Sequence, residues 1–238
     1  MDRTVAISRV ARLDAVCAPF DWTWARENRG AIAANWAQRS ADKPQMFNGR
    51  VLLVSRYEEA GETVRPTYFA TDFADFLGWR DLGYPDDTIA NGFAMAALQG
   101  SDGAYVCGVM GGGTANAGRV YFPSGTPDLS DLRPDGTVDL AGSVTRELAE
   151  ETGLVPDPAA VADHWIVVRQ WPAIAFLRPV VFAEPAEALA QRIRDAVAAQ
   201  GEPELAGARV IRGPADIDEA AMPMFLRTFF RWAFAEQA

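Results

Sequence analysis

Within Arg146-Glu147-Leu148-Ala149-Glu150-Glu151-Thr152-Gly153-Leu154, three carboxylates and a guanidinium fall within six positions and are followed by a glycine. On a helix advancing about 100° per residue, Glu147, Glu150 and Glu151 point to one side. Val144 and Leu148, four apart, point to another side and can be buried. Three carboxylates sharing a face repel one another unless a cation sits among them. Mg²⁺, a hard ion that prefers oxygen ligands, fits that role, with Mn²⁺ as the alternative.

The rest of the composition narrows the chemistry. His164 is the single histidine in 238 residues, so a multi-histidine metal site is excluded. A Ser-His-Asp triad would have to use this residue, and there is no Gly-x-Ser-x-Gly elbow to support it. Cys17 and Cys107 are the only cysteines, too few for a disulfide framework or a cysteine-rich zinc site, and a reducing cytoplasmic setting is expected. A formal net charge of −10 argues against a nucleic-acid partner, which usually requires a basic face. No apolar run reaches the length of a membrane span, so no membrane partner is expected. An anionic substrate would be repelled overall, and a divalent metal would have to offset the local charge. The oligomeric state is left open, a homodimer included.

The elements that must position the acidic helix can be read from pattern. Trp24, Asn28, Ile32 and Trp36, each four apart, predict a helix over Trp22 to Arg39. Asn48-Gly49 marks a turn before a strand at Val51 to Val54, and Tyr68 to Phe73 is a second extended stretch leading into a helix near Asp75 to Gly78. Phe93 to Leu98 and Ala104 to Val109 flank a hairpin signal, Gly100-Ser101-Asp102-Gly103. A glycine-rich loop, Gly111 to Gly118, precedes a strand at Arg119 to Phe122. A polar loop, Thr126 to Val138, separates that strand from the acidic helix, expected from about Ala141 to Thr152. Strands follow at His164 to Gln170, Ile174 to Phe182 and Ala208 to Arg212, with helices at Pro185 to Gln200 and Asp216 to Phe234. This interspersed order predicts an α/β (α+β) sandwich with a mixed sheet and helices on both faces. The organisation expected is an N-terminal extension, residues 1–90, packed on a catalytic domain, residues 91–238.

Arg146 to Leu154 resembles the second half of the signature of the Nudix hydrolases, G-x5-E-x7-R-E-U-x-E-E-x-G-U with U aliphatic, at every specified position. Phe122-Pro123-Ser124-Gly125, at the end of a strand, resembles the approach to it. The first half departs from the pattern: Gly125 lies 21 residues before Arg146 rather than 14, and Val138 stands where the first glutamate belongs. In the family that glutamate mainly pairs with the arginine, and Asp139 or Asp135 is the candidate substitute. Trp36-Ala37-Gln38-Arg39, Pro44 to Gly49, Thr71-Asp72-Phe73 and Phe76-Leu77-Gly78 are similar in order and spacing to the N-terminal region of the branch that splits UDP-glucose and UDP-galactose.

The resemblance implies a Nudix-type α/β/α sandwich and Mg²⁺-assisted cleavage of a nucleoside diphosphate linked to another moiety, most simply a UDP-sugar. The products are a nucleoside monophosphate and a phosphorylated partner. It implies metal ligation by Glu147, Glu150, Glu151 and the Gly125 carbonyl. Arg146 would hold the glutamates in place, and Glu147 or Glu150 would serve catalysis, Glu147 as a base toward water. A base in the loop Gly213 to Ala220, with Asp216, Asp218 and Glu219, is the alternative. The Gly111–Gly118 loop has the permissive backbone suited to phosphate or to a plain connection. Beside it Asn116 and Arg119 are candidates to bind base, sugar or phosphate. Trp165, Trp171 and Phe176 can stack on a base, although strand aromatics are more often core. The competing readings are an ADP-ribose or coenzyme A diphosphatase and a nucleotide-binding module without catalysis.

Overall fold

The computed structural model describes residues 5–44, 46–112, 116–201 and 203–236. In chain order the elements are β1 (Ala6–Val10), β2 (Arg12–Leu13), β3 (Val16–Cys17), α1 (Thr23–Glu27), α2 (Arg29–Asp42), β4 (Arg50–Ala60), β5 (Thr63–Asp72) and α3 (Phe73–Asp81). They continue with β6 (Asn91–Gln99), β7 (Tyr105–Met110), β8 (Val120–Tyr121), β9 (Ser124–Gly125), α4 (Leu140–Thr152), β10 (Trp165–Gln170), β11 (Ala173–Val181), α5 (Ala186–Ala199), β12 (Leu205–Ile211) and α6 (Met224–Glu236).

The result is a mixed α/β fold. The large sheet runs β1-β10-β11-β6-β7-β12, with β8 on β7 and β9 on β6. It is mixed because β11 lies parallel to β6 while β1 with β10, β10 with β11 and β12 with β7 are antiparallel. The smaller sheet places β2 and β3 on one edge of β5 and β4 on the other. Residues 1–90 therefore supply β1 to the large sheet as well as a sheet of their own.

Strand alternation joins the layers. On β4, Leu52 and Val54 enter the main core, whereas Val51 and Leu53 enter a second cluster with Trp22, Phe69 and Trp79 beneath α1 to α3. On β6, Phe93 packs on Phe225 of α6 at 5.1 Å between centroids. The neighbouring Gly92 points the opposite way, where a Cβ would come within 2.5 Å of Val54 Cγ2. Covered on both faces, β6 is buried from Gly92 to Leu98, as its continuous apolar run suggests.

Two expectations are corrected, and the expected hairpin forms only at its turn. The Trp22–Arg39 helix is broken at Asn28, whose backbone N–H and side-chain Nδ2 both donate to the Trp24 carbonyl, at 3.0 and 2.8 Å. Asparagine competes in this way with the helical ladder. The final helix begins at Met224 rather than Asp216, because Pro223 can stand only at its start and Pro214–Asp216 form a separate 3-10 turn. The β6–β7 hairpin pairs at Gln99 and Tyr105, then the strands diverge. The chain from Val120 to Gly125 fills that wedge, β8 pairing with β7 at Gly108 and Val109 and β9 with β6 at Ala94 and Met95. Among the described residues no helix is long and apolar enough to cross a membrane.

Substituting Gly92→Ala should lower stability by about 1–3 kcal/mol through overpacking. Gly207→Ala, with nothing within 4 Å of the added carbon, should be near neutral. Urea denaturation of both variants checks this, and equal midpoints would contradict the packing assigned to Gly92.

Candidate functional site

The acidic helix forms as α4, over Leu140–Thr152, and its ends follow from its sequence. Asp139 caps the start, its carboxylate accepting from the Gly142 N–H at 2.9 Å. Gly153 ends it in the left-handed conformation at φ 70°, its N–H reaching Ala149 O at 2.9 Å. Val144 and Leu148 are buried as their spacing predicts.

Arg146 lies between two carboxylates. One terminal nitrogen donates to Asp131 Oδ1 at 2.8 Å and the other to Glu147 Oε1 at 2.9 Å. Both interactions hold the guanidinium well above its ordinary pKa. The partner is Asp131, not the expected Asp139 or Asp135. Asp139 caps the helix and pairs with Arg133 at 2.7 Å, while Asp135 accepts from Thr137 at 2.6 Å. Val138, at the position of the absent glutamate, is buried in the core. Asp131 closes a 3-10 turn, Leu129–Asp131, and its second oxygen accepts from the Asp128 N–H at 3.1 Å. The lengthened loop thus returns a carboxylate to the arginine from a position that linear spacing does not reveal. Asp131 is 2% exposed and Arg146 37%, so this pair is anchored at its carboxylate end.

The glutamates divide by depth. Glu150 is exposed. Glu147 is half-buried, and desolvation pushes its pKa up despite Arg146. It presses on Gly125, where an added Cβ would lie 2.6 Å from Glu147 Oε1, so a side chain there would displace the glutamate from this position. Glu151 is 5% exposed. Its Oε1 accepts from the Ser124 N–H at 3.1 Å, and its Oε2 has no hydrogen-bond partner among the described residues. Desolvation, then the negative charges of Glu204, Glu147 and Glu150, raise its pKa to about 8. Sequence reasoning missed Glu204, which lies just before β12 and far from the helix in the chain.

A cleft of about 790 Å³ opens in front of this group, lined by Ser124, Gly125 and Glu204. Arg146 and the three helix glutamates lie behind that lining rather than in it. Asn116 and Arg119 do line the cleft. Asn116 donates to the Tyr121 hydroxyl at 3.1 Å and Arg119 to Ala220 O at 2.9 Å. Of the three stacking candidates only Trp171 reaches it, since Trp165 and Phe176 are core. In the Gly213–Ala220 loop, Glu219 lines the cleft and pairs with Arg227 and Arg231. Asp216 and Asp218 instead accept hydrogen bonds from Arg212 N and Arg209, at 2.7 and 2.8 Å.

The donor set suits a hard divalent ion: only oxygens, several of them coulombically coupled, and one buried carboxylate oxygen left unsatisfied. Among the described residues no three His, Cys, Asp or Glu side chains are gathered as a ready cage.

No family model matches the chain, and no curated protein does. Among solved structures it is similar to the MutT protein from Methanosarcina mazei Go1, at 18% identity and TM-score 0.43, over 62% of this chain and 95% of that one. It is also similar to RenU, a Nudix hydrolase from M. smegmatis, at 12% identity and TM-score 0.34, over 61% of this chain and 81% of that one.

Two outcomes follow. A folded pKa of about 8 for Glu151 lies above the ordinary carboxyl value, so its contribution to stability is complete at low pH and is lost as pH rises toward 8. The metal-free protein should therefore lose Tm between pH 5 and pH 8, and Glu151→Gln should flatten that slope and melt higher at pH 8. A Glu151→Gln variant that keeps the slope would contradict this reading. Separately, Asp131→Ala should cost about 1–3 kcal/mol, a buried-pair value discounted because the Arg146 end is solvated. Asp139→Ala should cost about 1 kcal/mol, the value of a helix cap. Thermal melts of the two single variants give the ranking.

Proposed function

We propose that this protein is a divalent-metal-dependent hydrolase of the Nudix type. It would cleave the diphosphate of a nucleoside diphosphate joined to another group, with a UDP-sugar as the first substrate to test. The observation that carries the reading is the ordered carboxylate set on α4: Arg146 clamped by Asp131 and Glu147, with the unsatisfied Glu151 oxygen one helical turn further on. Absence of the first glutamate of the signature favours a binder without catalysis, and Asp131, which meets the arginine in its place, supports the hydrolase reading instead.

Glu147, Glu150 and Glu151, with the Gly125 carbonyl, are the residues that would hold Mg²⁺ or Mn²⁺, Glu150 swinging in from solvent. Bound there, the ion would neutralise diphosphate oxygens and lower the pKa of an attacking water. Around it the chain's own groups set the reaction up. Arg119 and Arg227 line the cleft and offer N–H donors to an anionic substrate, but Arg227 is paired with Glu219, and with Glu204 and the helix carboxylates close by it is the bound cation that would offset the negative charge. Burial raises the pKa of Glu147, which makes its carboxylate a stronger proton acceptor than an exposed glutamate. Glu219 is the alternative base, since it alone of the loop's acidic candidates lines the cleft. Cys17 and Cys107 are unpaired thiols, which suits the cytoplasm.

One observation favours a second reading, a nucleotide-binding module: the carboxylates are not gathered as a cage. Purified protein with Mg²⁺ and a panel of UDP-glucose, ADP-ribose, GDP-mannose and coenzyme A decides between the two. The hydrolase reading expects nucleoside monophosphate release from UDP-glucose above the other three. Glu150→Gln and Glu151→Gln should each lower kcat by about 100-fold or more. Absence of turnover throughout, with a nucleotide still raising Tm, would leave the binding module standing.

A further inference from the structure

Asn91, Ala173 and Gln170 form a row across three adjacent strands. Asn91 of β6 is in register with Ala173 of β11, and Ala173 with Gln170 of β10. Residues in register project to the same face, and all three line the cleft. Adjacent strands lie about 4.8 Å apart, so the two amide side chains start about 10 Å from each other. That span admits a flat heterocycle between their tips.

Both amide groups carry an unmet need. Asn91 Oδ1 and Gln170 Oε1 are shielded from solvent and have no hydrogen-bond partner among the described residues. Two such oxygens weaken the ligand-free protein, and a turn of each amide about its terminal torsion toward the cleft would let a ligand bringing N–H donors satisfy them. Aromatic surface is at hand. Trp171, directly after Gln170, lines the same cleft with Tyr84, whose ring lies 6.0 Å from it. Tyr84 is also the one non-glycine described with positive φ, at 58°, a left-handed backbone that is unfavourable for a bulky residue and recurs where ligands are clamped.

β6 sets the distance to the carboxylates. Asn91, Phe93 and Met95 alternate along it and all line the cleft. Met95 is in register with Ser124, whose N–H bonds Glu151. Four residues of strand span about 13 Å, comparable with the reach from a base, through its ribose, to the diphosphate.

We propose that the Asn91–Gln170 end of the cleft is the nucleobase seat, where the two amides read N–H donors on the edge of the base and Trp171 covers its face. The inference deepens the hydrolase reading and rests on it for the location of the diphosphate. It assigns two specificity residues from the strand ends and places the base, rather than the sugar, away from the acidic helix.

The test is binding, which needs no turnover. The four nucleoside 5′-monophosphates, glucose 1-phosphate and ribose 5-phosphate are titrated calorimetrically into the wild type, Asn91→Leu and Gln170→Leu. The proposal expects at least one nucleoside monophosphate to bind and to lose about tenfold or more in affinity in each variant. The sugar phosphates should be unaffected, and the Tm of each ligand-free variant should be unchanged or higher. Should Asn91→Leu fail to fold, Gln170→Leu at the strand end carries the test. Equal affinities across the proteins, losses confined to the sugar phosphates, or no binding of any monophosphate would overturn it. Base-dependent losses in a protein that hydrolyses nothing would sustain the seat while the hydrolase reading falls.

Discussion

A carboxylate placed out of water with one oxygen unsatisfied is among the least favourable arrangements a fold can hold, and Glu151 holds it at the centre of this molecule. The surroundings sharpen the conflict, because Glu147, Glu150 and Glu204 all add negative charge near it. In the free protein the conflict is eased by a proton, which is what a pKa of about 8 expresses. A divalent cation would ease it further and would convert a cost of folding into affinity. Arg146 is the fixed counterweight. Held by the buried Asp131, it orients Glu147 without neutralising Glu151.

The fold makes this arrangement by failing to complete a hairpin. Had β6 and β7 stayed paired beyond Gln99 and Tyr105, there would be no room for the Val120–Gly125 segment. Their divergence inserts Ser124 and Gly125 directly against α4, where one backbone N–H meets Glu151 and a missing side chain admits Glu147. The same strand, β6, carries Asn91 at its other end, so one rigid buried element relates the acidic helix to the amide row. A site set on a central strand is held more firmly than one set on loops.

Local chemistry was legible in the sequence and long-range convergence was not. The capped helix with its buried Val144 and Leu148, the strands β6, β10 and β11, and the mixed α/β class all follow from periodicity, caps and turn residues. Asp131 was missed because its relevance depends on how a lengthened loop folds back, and a search at fixed offset leads instead to Val138, which is core. Glu204 comes from the bend before β12, more than fifty residues away, and has no motif. Asn91 and Gln170 carry no sequence signal either, since only strand register brings them to one level. The helix break at Asn28 and the late start at Met224 show side-chain hydrogen bonding and a proline outweighing an otherwise regular amphipathic pattern.

The proposed cation site makes Glu151 a ligand that would stay protonated until the cation arrives. Calorimetric titration of Mn²⁺ at pH 7, repeated in buffers of different ionisation enthalpy, counts the protons released on binding. The account predicts saturable binding by the wild type with release of most of one proton, and loss of both the affinity and the proton in Glu151→Gln. Binding of equal strength and equal proton count in the two proteins would contradict it.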